Sequence, residues 1–93
     1  MKEIIWNEEK NTWLKQHRGV LFELALHVIT QKGVLAKIEH LNQHKYPGQK
    51  IYVIELNGYT YMIPLVENAT QMFFKTIIPS RKMKKRFSNV LCM

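Results

Sequence analysis

Arg81, Lys82, Lys84, Lys85 and Arg86 stand within six consecutive residues, Lys75 precedes them, and no acid follows Glu67. Eight of the 14 cations are interleaved with the seven glutamates, whereas the other six lie beyond the last one, so the net charge of +7 is gathered in the final quarter. Most charge runs are solvated helix faces. This one has no acids among its cations, so it repels itself unless a polyanion lies against it. Tyr59, Tyr61, Phe73 and Phe74 come just before, on strand-like runs, and offer stacking surfaces. Cations beside aromatics form the footprint of a nucleic-acid interface or of an acidic partner's docking face. A basic amphipathic helix can also lie on anionic lipid. Here the apolar residues Met83, Phe87, Val90 and Leu91 serve the core, which ranks that reading third.

These residue types suit one reaction. RNA can be cleaved by its own 2′-OH, and cations then stabilise the charge that builds on the phosphoryl oxygens. Lys, Arg, Tyr and His can divide that task and the proton transfers. Lys75, Arg81 and Lys82, set near Tyr59 or Tyr61, would form such a group. Other chemistries find less support. His40 and His44 are four apart beside Glu39, but in a loop-like segment, and the single Cys92 completes no four-ligand set, so neither a metal nor a cofactor is expected. The sequence has no nucleophile turn and no phosphate-cradling glycine loop. Glu8 and Glu9 read as helix-start residues rather than a catalytic pair.

The elements that must position these residues follow from local pattern. Lys2–Trp6 is a short β-prone run. Asn7 is a good N-cap, with Glu8 and Glu9 in the first turn. The helix it opens should turn Trp13, Leu14 and His17 towards the core and end near Gly19. Leu21, Leu24, Ala25, Val28 and Ile29 then form an apolar stripe at helical spacing, widened by Phe22 and Leu26 and stopped by Gly33. "VLAKIEH" can form a strand, and "LNQHKYPGQ" is loop-like. Asn57-Gly58 predicts a two-residue type I′ hairpin turn. Pro64 cannot donate to a ladder, so its strand needs a bulge or an edge there. "QMFFKTII" is a further strand, and Ser80 can cap a last helix. The expected fold is α+β, with two N-terminal helices and a C-terminal helix packed on an antiparallel sheet.

At 93 residues the chain suits one domain, spanning 1–93. A lone cysteine predicts a reducing compartment, and the acidic turn after "MKEIIW" does not suit a signal peptide. No apolar run is long enough to span a membrane. A cytoplasmic protein with no membrane partner is expected.

Two blocks carry a family resemblance. "WNEEKNTWLKQHRGVLFELA" resembles the opening of the BrnT family of type II toxins, with Trp6, Lys10, Asn11, Lys15, His17, Gly19, Val20, Phe22 and Glu23 matching. Arg18 is an insertion, and Asn7 replaces an aspartate. "TIIPSRKM" is similar to the family's closing strand–helix junction through Ile77, Ile78, Arg81 and Lys82. The resemblance implies a RelE-like fold and a toxin, an mRNA endoribonuclease (an mRNA interferase) that inhibits translation. It also implies a cognate DNA-binding antitoxin, with operator DNA reached only through that antitoxin. Charge adds that the antitoxin's contacting segment should be acidic or should cover the sheet.

On this reading Arg81 stabilises the phosphate, with Lys82 and Lys75 in support. His17 and Tyr61 are candidates for proton transfer, and Tyr59 for base stacking. Lys84, Lys85 and Arg86 form an RNA-facing surface. Thr76 stands where the family has an arginine, so a bulge must re-aim Lys75, or Arg81 carries the role alone, or activity is reduced. The alternative is a non-catalytic basic module that binds nucleic acid or a partner on the same fold.

Overall fold

In the computed structural model, residues 2–39 and 43–80 are described. Strand β1 (Glu3–Trp6) leads into helix α1 (Glu8–Arg18), and Asn7 caps that helix by accepting from the Lys10 N–H at 3.1 Å. The helix ends on Gly19 at φ 66°, where the N–H closes onto the Lys15 carbonyl, a left-handed cap that a side chain would strain. Leu14 is fully buried as expected. Trp13 and His17 are not: both point to solvent, because the helix rests on the single row containing Asn11 and Leu14.

Helix α2 (Phe22–Gln31) has no capping side chain of its own, since Leu21 occupies the N-cap. Asn11 supplies the cap from α1. Its Oδ1 accepts from the Phe22 N–H at 2.8 Å, and its Nδ2 donates to Glu23 Oε1 at 2.6 Å. The buried row is Phe22, Ala25 and Val28, while Leu24 of the expected stripe is 41% exposed. Gly33 ends the helix as predicted, its N–H returning to Val28 and Ile29 carbonyls.

Four strands follow the helices in the main ladder or at its edge: β2 (Ala36–Glu39), β3 (Gln49–Leu56), β4 (Tyr59–Glu67) and β5 (Gln71–Phe74), with a two-residue β6 (Ile78–Pro79). Asn57 at φ 54° and Gly58 at φ 78° make the predicted turn between β3 and β4. Asn68 shapes the next turn by accepting from the Thr70 and Gln71 N–H groups. The sheet order is β1-β5-β4-β3-β2, with β6 also on β4. The sheet is mixed rather than wholly antiparallel: β1 runs parallel to β5, pairing Glu3 with Gln71 and Trp6 with Phe74. Both helices and three strands separate these partners in the chain, so no local turn signals the pairing.

The helices cover one face. Leu14, Val20, Phe22, Ala25 and Val28 pack on alternate sheet residues, among them Tyr52, Ile54, Ile63, Leu65 and Phe74. Burying a residue of Phe22's or Phe74's size contributes about 1.5–3 kcal/mol each. The described residues therefore form an α+β arrangement with two helices on a six-stranded sheet. The expected C-terminal helix lies outside the described residues.

The run expected as one strand, "QMFFKTII", is broken. Leu65 faces Phe74 on one side of the break, and Met62 faces Ile78 on the other. Two residues of β4, Ile63 and Pro64, thus oppose three of the partner, Lys75 to Ile77. That is a bulge of one residue, and it interrupts the in–out alternation. Phe74 and Ile77 are both fully buried although three apart. Pro64 explains the location. Its carbonyl accepts from the Lys75 N–H at 2.8 Å, so its ring nitrogen, which has no hydrogen, faces the same gap.

Candidate nucleic-acid interface

Helix α1 presents Trp13 to solvent at 37% exposure. Three cation-bearing or imidazole side chains surround that ring at spacings a helix brings together. The Lys10 ammonium sits 4.1 Å from its centroid and the Arg18 guanidinium 4.9 Å. The His17 ring stacks at 4.4 Å and 15°, and its Nδ1 is 3.0 Å from the Trp13 carbonyl. The salt bridges among the described residues gather on Glu67, and neither Lys10 nor Arg18 takes part in one.

Arg18 connects this row to the sheet. Its Nη1 donates to the Ile77 carbonyl at 2.5 Å, holding the end of α1 against the bulge that leads into β6. On the other side of β6, Pro79 pairs with Tyr61 and Ser80 donates from its N–H to the Thr60 carbonyl at 3.0 Å. Tyr61 is half-buried against the core, and Tyr59 is 54% exposed with its ring 6.2 Å from that of Tyr61. Arg18 thus ties the end of α1 to Ile77, and β6, which begins at the next residue, pairs with the start of β4.

Tyr59 and Tyr61 lie beside each other on β4, and His17 stands exposed on α1 against Trp13. Lys75 joins neither group: it is exposed on the bulge and lines a small cleft with Glu39, Lys50, Ile51 and Pro64. The bulge breaks the alternation, yet it turns Lys75 away from β6 rather than towards it. Thr76 is half-buried, and its hydroxyl is buried with no hydrogen-bond partner among the described residues. Arg81, Lys82, Lys84, Lys85 and Arg86 lie outside the described residues. Among those that are described, no group of three or more His, Cys, Asp or Glu residues is arranged to hold a metal ion.

Sequence reasoning missed Arg18 and the Lys10–Trp13 contact. Lys10, Trp13 and His17 do stand at i, i+3 and i+7, a signal for one helix face, but an apolar Trp beside Leu14 read as core. Arg18 read as an insertion, because its partner, a backbone carbonyl 59 residues away, leaves no mark in the local pattern.

The most perturbed charges are elsewhere. Glu67 accepts from Lys2 at 2.7 Å and from Lys50, and these hydrogen bonds hold its carboxyl down at about 2. The same bond raises the Lys50 ammonium, and burial raises Tyr52. Glu67 ends the strand that Tyr59 begins, roughly 25 Å away by the rise of an extended chain. It clamps the ends of β1, β3 and β4. Gly48 belongs to that clamp: its carbonyl accepts from the Glu67 N–H, and a Cβ there would come within 2.2 Å of the Glu67 oxygen.

Comparison with protein-family models, with curated proteins and with solved structures gives no match. No helix among the described residues is long and apolar enough to cross a membrane.

Proposed function

We propose that the chain is the toxin of a type II toxin–antitoxin system, of the BrnT family and RelE-like in fold, and acts in the cytoplasm as a metal-independent mRNA endoribonuclease. The observation that carries the reading is the contact of Arg18 with the Ile77 carbonyl. It joins the cation–aromatic row of α1 to the strand that runs into the basic segment. The chain reaches Arg81 one residue after Ser80, whose N–H is bonded beside Tyr59 and Tyr61. In this reading Arg81 stabilises the phosphoryl oxygens, Lys82 and Lys75 support it, and His17 and Tyr61 are the candidates for proton transfer. An antitoxin with an acidic or sheet-covering segment masks these cations, and RNA is the substrate, free or on the ribosome.

Some family-matching residues have a different role. Asn11, Phe22 and Glu23 build the trans cap of α2 and act on the site only by fixing α1 against α2.

A second reading has one specific observation behind it. Lys75 stands in a cleft with Glu39 and Lys50, away from the α1 row. A surface lacking that cation suits a module that binds RNA or an acidic partner without cutting it. Incubating the purified protein with labelled RNA, alone and with ribosomes, separates the two. Fragments that appear without added metal support the endonuclease. Salt-sensitive retention of intact RNA supports the binding module.

A further inference from the structure

The solvent face of α1 has no part in the core and is poorly explained by stability alone. Trp13 is a large apolar side chain kept at the surface, and Leu14 beside it meets the helix's packing requirement. The cations over Trp13 come from positions 10 and 18, two helical turns apart, or about 12 Å along the axis. Arg18 spends one guanidinium donor on Ile77 and keeps the others. His17, stacked on Trp13 at 4.4 Å and 15°, covers one face of the indole and offers the outer face of its own ring. An acidic protein segment would need only the charges. A nucleobase also uses the ring planes, because every base has a π-face to stack and a flanking phosphate to neutralise.

We propose that Lys10, Trp13, His17 and Arg18 form a binding platform for single-stranded nucleic acid. A base stacks on the Trp13–His17 pair, displacing the Lys10 side chain from the ring, and the flanking phosphates lie on Lys10 and Arg18. The platform rests on the reading that the chain acts on RNA, but not on its cutting RNA.

The test uses the full chain and a fluorescein-labelled oligothymidylate, which has no 2′-OH and cannot be cleaved by internal attack. Trp6, stacked on Phe22 at 5.5 Å, is replaced by Phe so that Trp13 alone reports. Saturable quenching of Trp13 is expected. Trp13→Ala should weaken binding, read by anisotropy, by about 5- to 100-fold. Lys10→Gln should lower the slope of log affinity against log salt by about one. Both side chains lie on the solvent face, and an unchanged melting curve verifies the fold. Wild-type affinity in both variants overturns the platform, as does the absence of quenching at low salt. Equal quenching by poly-glutamate also overturns it, in favour of an acidic protein partner. Trp13-dependent binding in a protein that never cuts RNA sustains the platform and defeats the endonuclease reading alone.

Discussion

The Arg18 guanidinium donates to the Ile77 carbonyl at 2.5 Å, across 59 residues of sequence. It is the contact that ties the last turn of α1 to the bulge before β6. A charge-assisted bond to a partly buried carbonyl is stronger than a neutral one. Arg18→Gln should therefore cost about 1.5–3 kcal/mol in urea unfolding. Arg18→Lys should recover little of it, since an ammonium lacks the planar fork. A Gln variant as stable as wild type would mean that the contact does not hold the helix end.

Asn11→Ala makes a sharper demand on the fold. The change leaves the Phe22 N–H without its acceptor at the start of α2 and strips Glu23 of a donor. A loss of about 1–3 kcal/mol is expected, with the far-ultraviolet helix signal of the folded state retained. Asn11→Asp keeps the acceptor but sets a second carboxylate against Glu23, so it should fall between the two. Calorimetric melting of the three proteins orders them.

Glu67 predicts the acid limb of the stability curve. Its carboxyl titrates at about 2 in the folded chain against an ordinary 4.5, so the unfolded chain binds the proton more tightly. Its contribution is complete above about pH 5 and is lost as pH falls towards 2. Lys50 acts at the other extreme: its raised ammonium contributes throughout neutral pH and is lost only in alkali beyond 10.5. Lys2 is partly exposed, and solvent screening limits its share. Glu67→Gln should lower stability at pH 7 by about 1–2 kcal/mol and flatten the dependence between pH 5 and 2. An equally steep acid limb in the variant would place the titrating group elsewhere.

What could be read from sequence was local. Asn7 with Glu8 and Glu9, Gly19, Gly33 and Asn57-Gly58 each act within a few residues, and each forms the cap or turn its chemistry implies. The ladder is interrupted at Pro64 as its missing N–H requires, but the extra residue lies on the partner segment, Lys75 to Ile77, rather than on the strand of Pro64 itself. Direction and partnership were not readable. Trp13 and Leu14 stand about 100° apart on the helix and either could edge an apolar stripe, so only the position of the sheet decides that Leu14 goes in and Trp13 stays out. The parallel pairing of β1 with β5 and the reach of Asn11 to Phe22 depend on residues brought together by the whole fold. The bulge shows the limit most plainly. Sequence allowed it to re-aim Lys75 towards the site, whereas the buried pair Phe74 and Ile77 fixes the chain so that Lys75 faces the Glu39–Lys50 cleft.

The proposed function makes Arg81 the residue through which the chain acts on messenger RNA. The direct measurement is induction of the wild-type chain and of Arg81→Ala in a bacterial host, with growth and transcript integrity followed together. Wild type should arrest growth and fragment mRNA within the induction period, and Arg81→Ala, expressed to the same level, should do neither. Normal growth with intact transcripts on induction of wild type would contradict the account.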